Sequence, residues 1–243
     1  MDIFAATHKG KIRKQNEDAV FISGDDFPVF AIVADGMGGH NAGRVASNMA
    51  IALIKKEIAS RSAHRLREED LKEIIKKTSN HIFETATNDV ELYQMGTTVA
   101  LVMLNQNQIR TAHVGDSRIY LFSRCSLQRL TRDHSYVQYL VDKRILRPDE
   151  AERHPYRNIL TRAVGMQEIE VDTKTAQFSD GDILLLCSDG LTNDIDDREI
   201  LALLSQGGSA QTLATSLVNR ALERGGRDNI SVIVIKKDAG AYQ

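Results

Sequence analysis

The sequence predicts an α+β fold built on largely antiparallel sheet, and three observations carry that prediction. Strand-like runs follow one another through the middle of the chain without intervening helices, which implies hairpin-type connections. Helical patterns come in pairs, whereas βαβ units would alternate them singly with strands. No linker, internal repeat or charge block divides the 243 residues, so a single domain over 1–243 is expected. A chain of this length buries about three quarters of its unfolded surface.

Apolar or alternating runs at Ile3–Thr7, Ala19–Ile22 and Val29–Ala34 read as strands. Ala42–Ile58 reads as a helix with Val45, Met49, Ala52 and Leu53 on one face. A second helix fits Glu68–Thr87, because Leu71, Ile74, Ile75, Thr78, Ile82 and Ala86 recur at helical spacing. Thr97–Leu104, a polar turn Asn105–Gln108, Ile109–Val114 and Arg118–Phe122 then read as adjacent hairpin-like strands. Tyr136–Lys143 and Pro148–Arg153 read as short helices within a polar insert of about 134–158. Strands resume at Glu170–Phe178 and Ile183–Cys187. Asp196, with Glu199 three residues on, opens a helix over Arg198–Leu204 in capping-box fashion. A further helix spans Ala210–Arg224, and Asn229–Lys236 is the last strand.

Composition excludes several classes of function. Lys+Arg 31 against Asp+Glu 33 leaves a formal charge of −2, with no general drive toward nucleic acid or membrane. No apolar run approaches the roughly 18 residues of a membrane span, and Met1–Lys11 is too polar for a secretory signal. Cys125 and Cys187 permit at most one disulfide and lack zinc spacing; both are expected as reduced, mostly buried thiols. The expectation is a cytoplasmic monomer without nucleic-acid or membrane partners.

Two segments share one design, an apolar strand ending in Asp-Gly: Phe30–Gly36, with Asp35, and Leu184–Gly190, with Asp189. Taken alone, either is an ordinary Asp-Gly turn. A carboxylate at the mouth of a buried strand is nevertheless unfavourable unless it is paired, hydrogen-bonded or bound to a cation. The loop Asp35–Gly43 is glycine-rich, but Asn41 stands where the dinucleotide pattern needs its third glycine, and no Lys-Ser/Thr follows for a phosphate loop. Gly-x-Ser-x-Gly, His-Glu-x-x-His and Cys-x-x-Cys are all missing. Ser117 and Ser188 sit beside acids and read as turn hydrogen-bonders. Acid is abundant at strand ends and turns: Glu17 and Asp18, Asp35, Asp116, Asp189 and Asp228. Antiparallel strands can bring these six carboxylates to one sheet edge. Two carboxylates about 4 Å apart repel by roughly 4 kcal/mol at an effective dielectric near 20, so such a cluster needs protons or divalent cations. Oxygen donors without His or Cys favour Mg²⁺ or Mn²⁺ over zinc or copper.

Taken together, these residues resemble the metal-dependent protein serine/threonine phosphatases of the protein phosphatase 2C type, in their small bacterial form. The resemblance covers essentially the whole chain. It runs through Gly10-x-x-Arg13-x-x-Asn16-Glu17-Asp18, Val33–His40, Met95–Thr98, Ala112–Arg118, Leu130–Ser135, the insert through Arg147–Gly165, Cys187–Leu191 and Gly226–Ser231. It implies a four-layer αββα sandwich, two antiparallel sheets flanked by helix pairs, with a two-metal centre at one edge. By resemblance Asp35 bridges both metals, the Gly36 carbonyl binds one, and Asp189 and Asp228 hold the other. Glu17 and Asp18 act mainly through metal-bound waters, Asp116 with Asp189 forms a third, weaker site, and Arg13 binds substrate phosphate. The implied reaction is attack of a metal-activated water on phosphoserine or phosphothreonine, with no phosphoenzyme. Where animal members carry a His directly after Asp-Gly, this chain has Met37, which cannot donate a proton; either His40 or a metal-bound water is the general acid, or protonation of the leaving group is less demanding here. The implied partners are phosphoproteins and a cognate Ser/Thr kinase, and the insert corresponds to the family's flap. A small-phosphoester hydrolase and a non-catalytic phosphopeptide-binding pseudophosphatase are the alternatives; all six acids and Arg13 are filled, which disfavours the latter.

Overall fold

Alternation along one strand, Val29–Met37 (β3), shows how the layers arise. Val29, Ala31 and Val33 face one hydrophobic cluster, while Phe30, Ile32 and Ala34 face another, and all six are buried. A strand buried on both faces must lie inside a layered stack. The computed structural model describes residues 1–24, 27–39, 41–151 and 153–237. It is an α+β sandwich of two antiparallel sheets with helices on both outer faces.

One sheet runs Asp18–Ile22 (β2), β3, Val99–Asn105 (β5), Gln108–Val114 (β6) and Asp172–Gln177 (β9), with the short Gly96–Thr97 (β4) also paired to β3. Its outer face is covered by Ala42–Ala59 (α1) and Glu68–Asn88 (α2). The other sheet runs Asp2–His8 (β1), Ile230–Lys236 (β11), Ile183–Cys187 (β10), Arg118–Ser123 (β7) and Ser126–Arg129 (β8). Asp197–Ser205 (α6) and Ala210–Arg224 (α7) pack on it through Ile200, Leu204, Leu213 and Leu217. Between the sheets lies a third cluster, in which Val102 and Leu104 meet Leu184, Leu186, Ile233 and Ile235. No helix among the described residues is long and apolar enough to cross a membrane.

Three expectations need correction. Arg118–Phe122 is not a hairpin neighbour of Ile109–Val114: β6 and β7 belong to different sheets, and Gly115-Asp116-Ser117 crosses between them. Gly115 makes the crossing at φ +104°, where a Cβ would stand 2.5 Å from Thr98 Cγ2. On α1, the deepest stripe is Ala46, Ala50, Ile54 and Ile58; Val45, Met49 and Leu53 flank it half-buried, and Ala52 is exposed. Side-chain size points to the wrong face here, because the first half of the buried stripe is lined by the small Ala42, Ala46 and Ala50, and only its second half by Ile54 and Ile58. Cys125 is exposed, while Cys187 is buried, and both are free. Strand β8 has no counterpart among the expected elements. It is polar, and its two-residue turn, Arg124-Cys125 at φ 49° and 60°, lacks the Asn and Gly that mark such turns.

Between β8 and β9 the chain makes an excursion through Tyr136–Asp142 (α3) and Pro148–Ala151 (α4). It leaves and returns side by side: Tyr136 N–H donates to the Ile159 carbonyl, and Thr161 N–H to that of His134. The excursion therefore stands on a narrow base beside the end of the sandwich that carries the acids.

Candidate active site

Asp35 sits within β3 and not in a turn beyond it, since the strand continues to Met37 by pairing with β4. Its N–H donates to Thr98 Oγ1 (2.9 Å), and its carbonyl accepts from Thr98 N–H (2.8 Å) and Thr97 Oγ1 (2.9 Å). Register places it directly opposite Asp18 of β2. A Cβ on Gly36 would lie 2.1 Å from the Gly43 carbonyl oxygen, so only glycine lets the start of α1 press against this strand end. The same sheet edge thus presents Asp18, Asp35 and the neighbouring Glu17.

The second sheet supplies the rest. Asp189 opens the single turn Asp189–Thr192 (α5) directly after β10, and its Oδ2 accepts from Asn193 Nδ2 at 2.9 Å. Asp228 precedes β11; its Oδ1 accepts from Asn229 N–H (2.8 Å) and its Oδ2 from Arg13 Nη2 (2.7 Å). The guanidinium expected as a phosphate clamp is thus paired with one of the expected metal ligands, at the exposed mouth of the site. Asp116 rides on the crossover between the sheets.

Two residues that the sequence reading left aside hold this edge together. Asn229 donates from Nδ2 to the carbonyls of Lys9 and Gln15, both at 2.9 Å, and its Oδ1 accepts from Glu17 N–H at 2.8 Å. It therefore fastens the loop that carries Arg13 and Glu17 to the second sheet. Ser188, read only as a turn residue, donates from Oγ to Asp18 Oδ2 (2.8 Å) and accepts from Ser231 N–H (3.0 Å), joining the two sheets through a site acid. Neither role leaves a mark in local pattern. Ser117 likewise makes a buried contact, 2.7 Å from Thr98 Oγ1.

The electrostatics follow from burial. Asp18 is 8% exposed, its Oδ1 has no hydrogen-bond partner, and burial with the charges of Asp189 and Asp228 pushes it up to about 7. Asp35 is held well above the usual carboxylate range, first by burial and then by Asp18, Asp189, Asp116 and Asp228. Asp116 is raised likewise, by burial and then by Asp189 and Asp133. Asp189 is raised by burial and Asp228, against hydrogen bonds from Asp35 and Asn193 that lower it. Glu17 is raised by burial, with Arg13 opposing. Carboxyls that disfavour one another's ionisation, one with an unpartnered buried oxygen and none with a competing His or Cys beside it among the described residues, fit a hard divalent cation. The residues present therefore suit Mg²⁺ or Mn²⁺. His40 lies outside the described residues.

Asp116 and Asp189 also floor a cleft of 1050 Å³. One wall is the excursion after β8, with Val137, Arg153 and Arg157; the other is the segment from Thr192 to Glu199. An extended peptide laid in this cleft would pass over the acidic edge.

The family model described as protein phosphatase 2C matches residues 8–225. The chain is 40% identical over 239 residues to the serine/threonine phosphatase stp of Listeria monocytogenes, covering 96% of this chain and 94% of the relative. It is 34% identical to the serine/threonine protein phosphatase PstP of Mycobacterium tuberculosis over 95% of this chain, spanning 44% of that longer protein. Among solved structures, the S. agalactiae serine/threonine phosphatase superposes with a TM-score of 0.92 at 33% identity, covering 98% of this chain and 99% of the other. The PstP catalytic domain in complex with two manganese ions superposes with a TM-score of 0.85 at 32% identity, over 96% of each chain.

Proposed function

This chain belongs to the protein phosphatase 2C family, and on that premise we propose that its acidic edge hydrolyses phosphoserine and phosphothreonine in proteins with the help of divalent cations. It is a metal-dependent protein serine/threonine phosphatase. The observation that carries the reading is the convergence of Asp18 and Asp35 from one sheet with Asp189 and Asp228 from the other, which raises Asp18, Asp35 and Asp189 above their ordinary values.

Asp35, the Gly36 carbonyl, Asp189 and Asp228 would hold two cations, Mn²⁺ or Mg²⁺, with Glu17 and Asp18 behind them and Asp116 with Asp189 taking a third, weaker ion. When bound, these cations supply Lewis-acid activation of the attacking water and neutralise charge that develops on phosphorus oxygens. The chain's own groups do the rest. Arg13, at the mouth, exchanges Asp228 for two phosphate oxygens and orients the phosphoryl group. Asn229 keeps Arg13 and Glu17 in register with Asp228. Met37 offers no proton to the leaving alkoxide, so that proton comes from another group, for which His40 is the candidate. The physiological opponent is a Ser/Thr kinase, and the setting is the cytoplasm, with the chain acting as a monomer.

The test is turnover of a phosphothreonine peptide with added Mn²⁺, with Mg²⁺, and in chelator. Activity that requires added cation and vanishes in chelator is expected. Full turnover in chelator-treated, metal-free buffer overturns the two-metal reading.

A further inference from the structure

None of the roles above uses Leu130-Thr131-Arg132-Asp133-His134-Ser135, the stretch that leads into the excursion. In the structure its residues grip the end of β6, the start of β7 and the crossover between them, or the excursion itself. Thr131 Oγ1 accepts from Ile119 N–H (3.2 Å), and the Arg132 carbonyl accepts from His113 Nε2 (2.9 Å). Asp133 takes the Arg118 guanidinium at Nε (3.1 Å) and Nη2 (2.7 Å). Ser135 caps α3 by accepting from Gln138 N–H.

His134 makes the contact nearest the site. Its main-chain N–H donates to the Gly115 carbonyl (2.9 Å), and its ring Nδ1 accepts from Gly115 N–H (3.1 Å). With Nδ1 an acceptor, the ring proton lies on Nε2, which faces Asp172 Oδ2 at 3.3 Å. Arg162 holds that carboxylate from its other side at 3.0 Å. The ring is buried and stacked on His113 with centroids 4.7 Å apart. Burial, with His113 adding, pulls His134 down to about 4, so the imidazole is neutral and Nδ1 keeps its lone pair.

His113, His134 and Asp172 also bring ligand-type atoms within 4.8 Å of one another, among the described residues. They do not read as a metal site. Arg162 Nη1 stands 3.0 Å from Asp172 and 3.4 Å from His134 Nε2, a fixed positive charge where a cation would have to sit. The group is instead a hydrogen-bonded chain from Arg162 through Asp172 and His134 to Gly115. Gly115, lacking a side chain and turning at φ +104°, has only external contacts to fix it, and the next residue is Asp116.

We propose that His134 is a positioning residue for Asp116, gripping Gly115 through both its imidazole and its main-chain amide so that the base of the excursion sets how Asp116 meets a divalent cation. The proposal rests on the reading of Asp116 as a ligand of the third, weaker ion. Because the His134 carbonyl also accepts from Thr161 N–H (2.8 Å), where the excursion returns, the same residue ties that segment to the ion site.

The experiment is calorimetric titration of Mn²⁺ into the chelator-treated full chain, with wild type, Asp116→Asn, His134→Asn and His134→Gln compared. The Asn oxygen can occupy the Nδ1 position and accept from Gly115 N–H, whereas Gln places its oxygen at the Nε2 end. A weak binding step lost in Asp116→Asn is expected. That step should weaken by about 10–100-fold in His134→Gln, the range typical of lost supporting contacts to a metal ligand, and by less than about threefold in His134→Asn. The tight steps should stay within about twofold of wild type in both variants. A weak step insensitive to Asp116→Asn overturns the assignment of Asp116 itself. A weak step lost in Asp116→Asn but equal in the two His134 variants, or a Gln variant in which tight and weak steps fall alike, overturns the role of His134 alone. Should His134→Gln not fold, Asp172→Ala, which keeps the ring but removes the acceptor at Nε2, is expected to weaken that step about threefold; an unchanged step then overturns the proposal.

Discussion

Replacing Asp18 by Asn should weaken the pH dependence of stability of the metal-free protein, so that the order of variant and wild type reverses between acid and alkaline pH. Asp18 is buried, carries an oxygen without a partner, and is pushed from 3.8 up to about 7. That displacement corresponds to about 4 kcal/mol of disfavoured ionisation. The sign follows from linkage. Below about pH 4, both folded and unfolded chains hold the proton, and Asp18 contributes nothing. As pH rises toward 7, the unfolded chain releases the proton while the folded chain retains it, and stability falls. Above about pH 7, the folded chain also carries the charge, and the full penalty is present. The transition belongs to the cluster and not to Asp18 alone, because Asp189 and Asp228 raise it. In Asp18→Asn, the Ser188 hydroxyl keeps an acceptor, but the new amide NH₂ takes the place of the unpartnered oxygen, at a cost of about 1–3 kcal/mol. The variant should therefore be less stable than wild type at pH 4 and more stable at pH 8, by about 1–3 kcal/mol each way. Urea unfolding followed by circular dichroism, in chelator at several pH values, measures the difference. With saturating Mn²⁺ at pH 8 the order should reverse again, since the cation favours the wild-type carboxylate. Parallel stability curves for the two proteins from pH 4 to 8 would refute the argument that burial and like charge strain this edge.

Asp35→Ala should abolish phosphopeptide turnover while the chelator-treated protein stays folded, because Asp35 is the acid on which the most neighbouring charges converge; near wild-type turnover in saturating Mn²⁺ would remove it from the metal set. Arg13→Ala should raise KM more than it lowers kcat, by about 1.5–3 kcal/mol for a charge-assisted phosphate contact, or roughly ten- to hundredfold. The same change should tighten Mn²⁺ binding in the absence of substrate, since Arg13 no longer competes for Asp228; titration calorimetry reads this, and unchanged affinity would show that the pair does not compete. Arg153→Ala with Arg157→Ala should alter relative rates among phosphopeptides and leave a small aryl phosphate nearly unaffected, because both line the cleft from the excursion and neither belongs to the acidic edge; an equal fall on both substrate types would mean that the excursion supports folding and does not select substrates.

What was legible in the sequence was what local physics decides. The burial pattern of α2 appears as Leu71, Ile74, Ile75, Thr78, Ile82 and Ala86 at helical spacing, and the same residues are buried in the structure. Asp35 and Asp189 stood out because a charge at the end of an apolar run demands an explanation, and both lie at the acidic edge. What local pattern cannot decide is which sheet a strand joins. Gly115-Asp116-Ser117 has the length of a hairpin turn, yet β7 finds better partners in β10 and β8 than beside β6, because Ile119 and Leu121 are needed in the layer between the sheets. That decision, invisible in the residues of the turn, is what carries Asp116 out of the first sheet and over Asp189. The fasteners were hidden for the same reason: Asn229 and Ser188 act on carbonyls and a carboxylate more than 150 residues away in sequence, at |i−j| of 214 and 170. A short polar side chain carries no periodicity by which to find such partners. The acids of a site of this kind announce themselves by being out of place, whereas the residues that aim them look like ordinary turns until the fold closes.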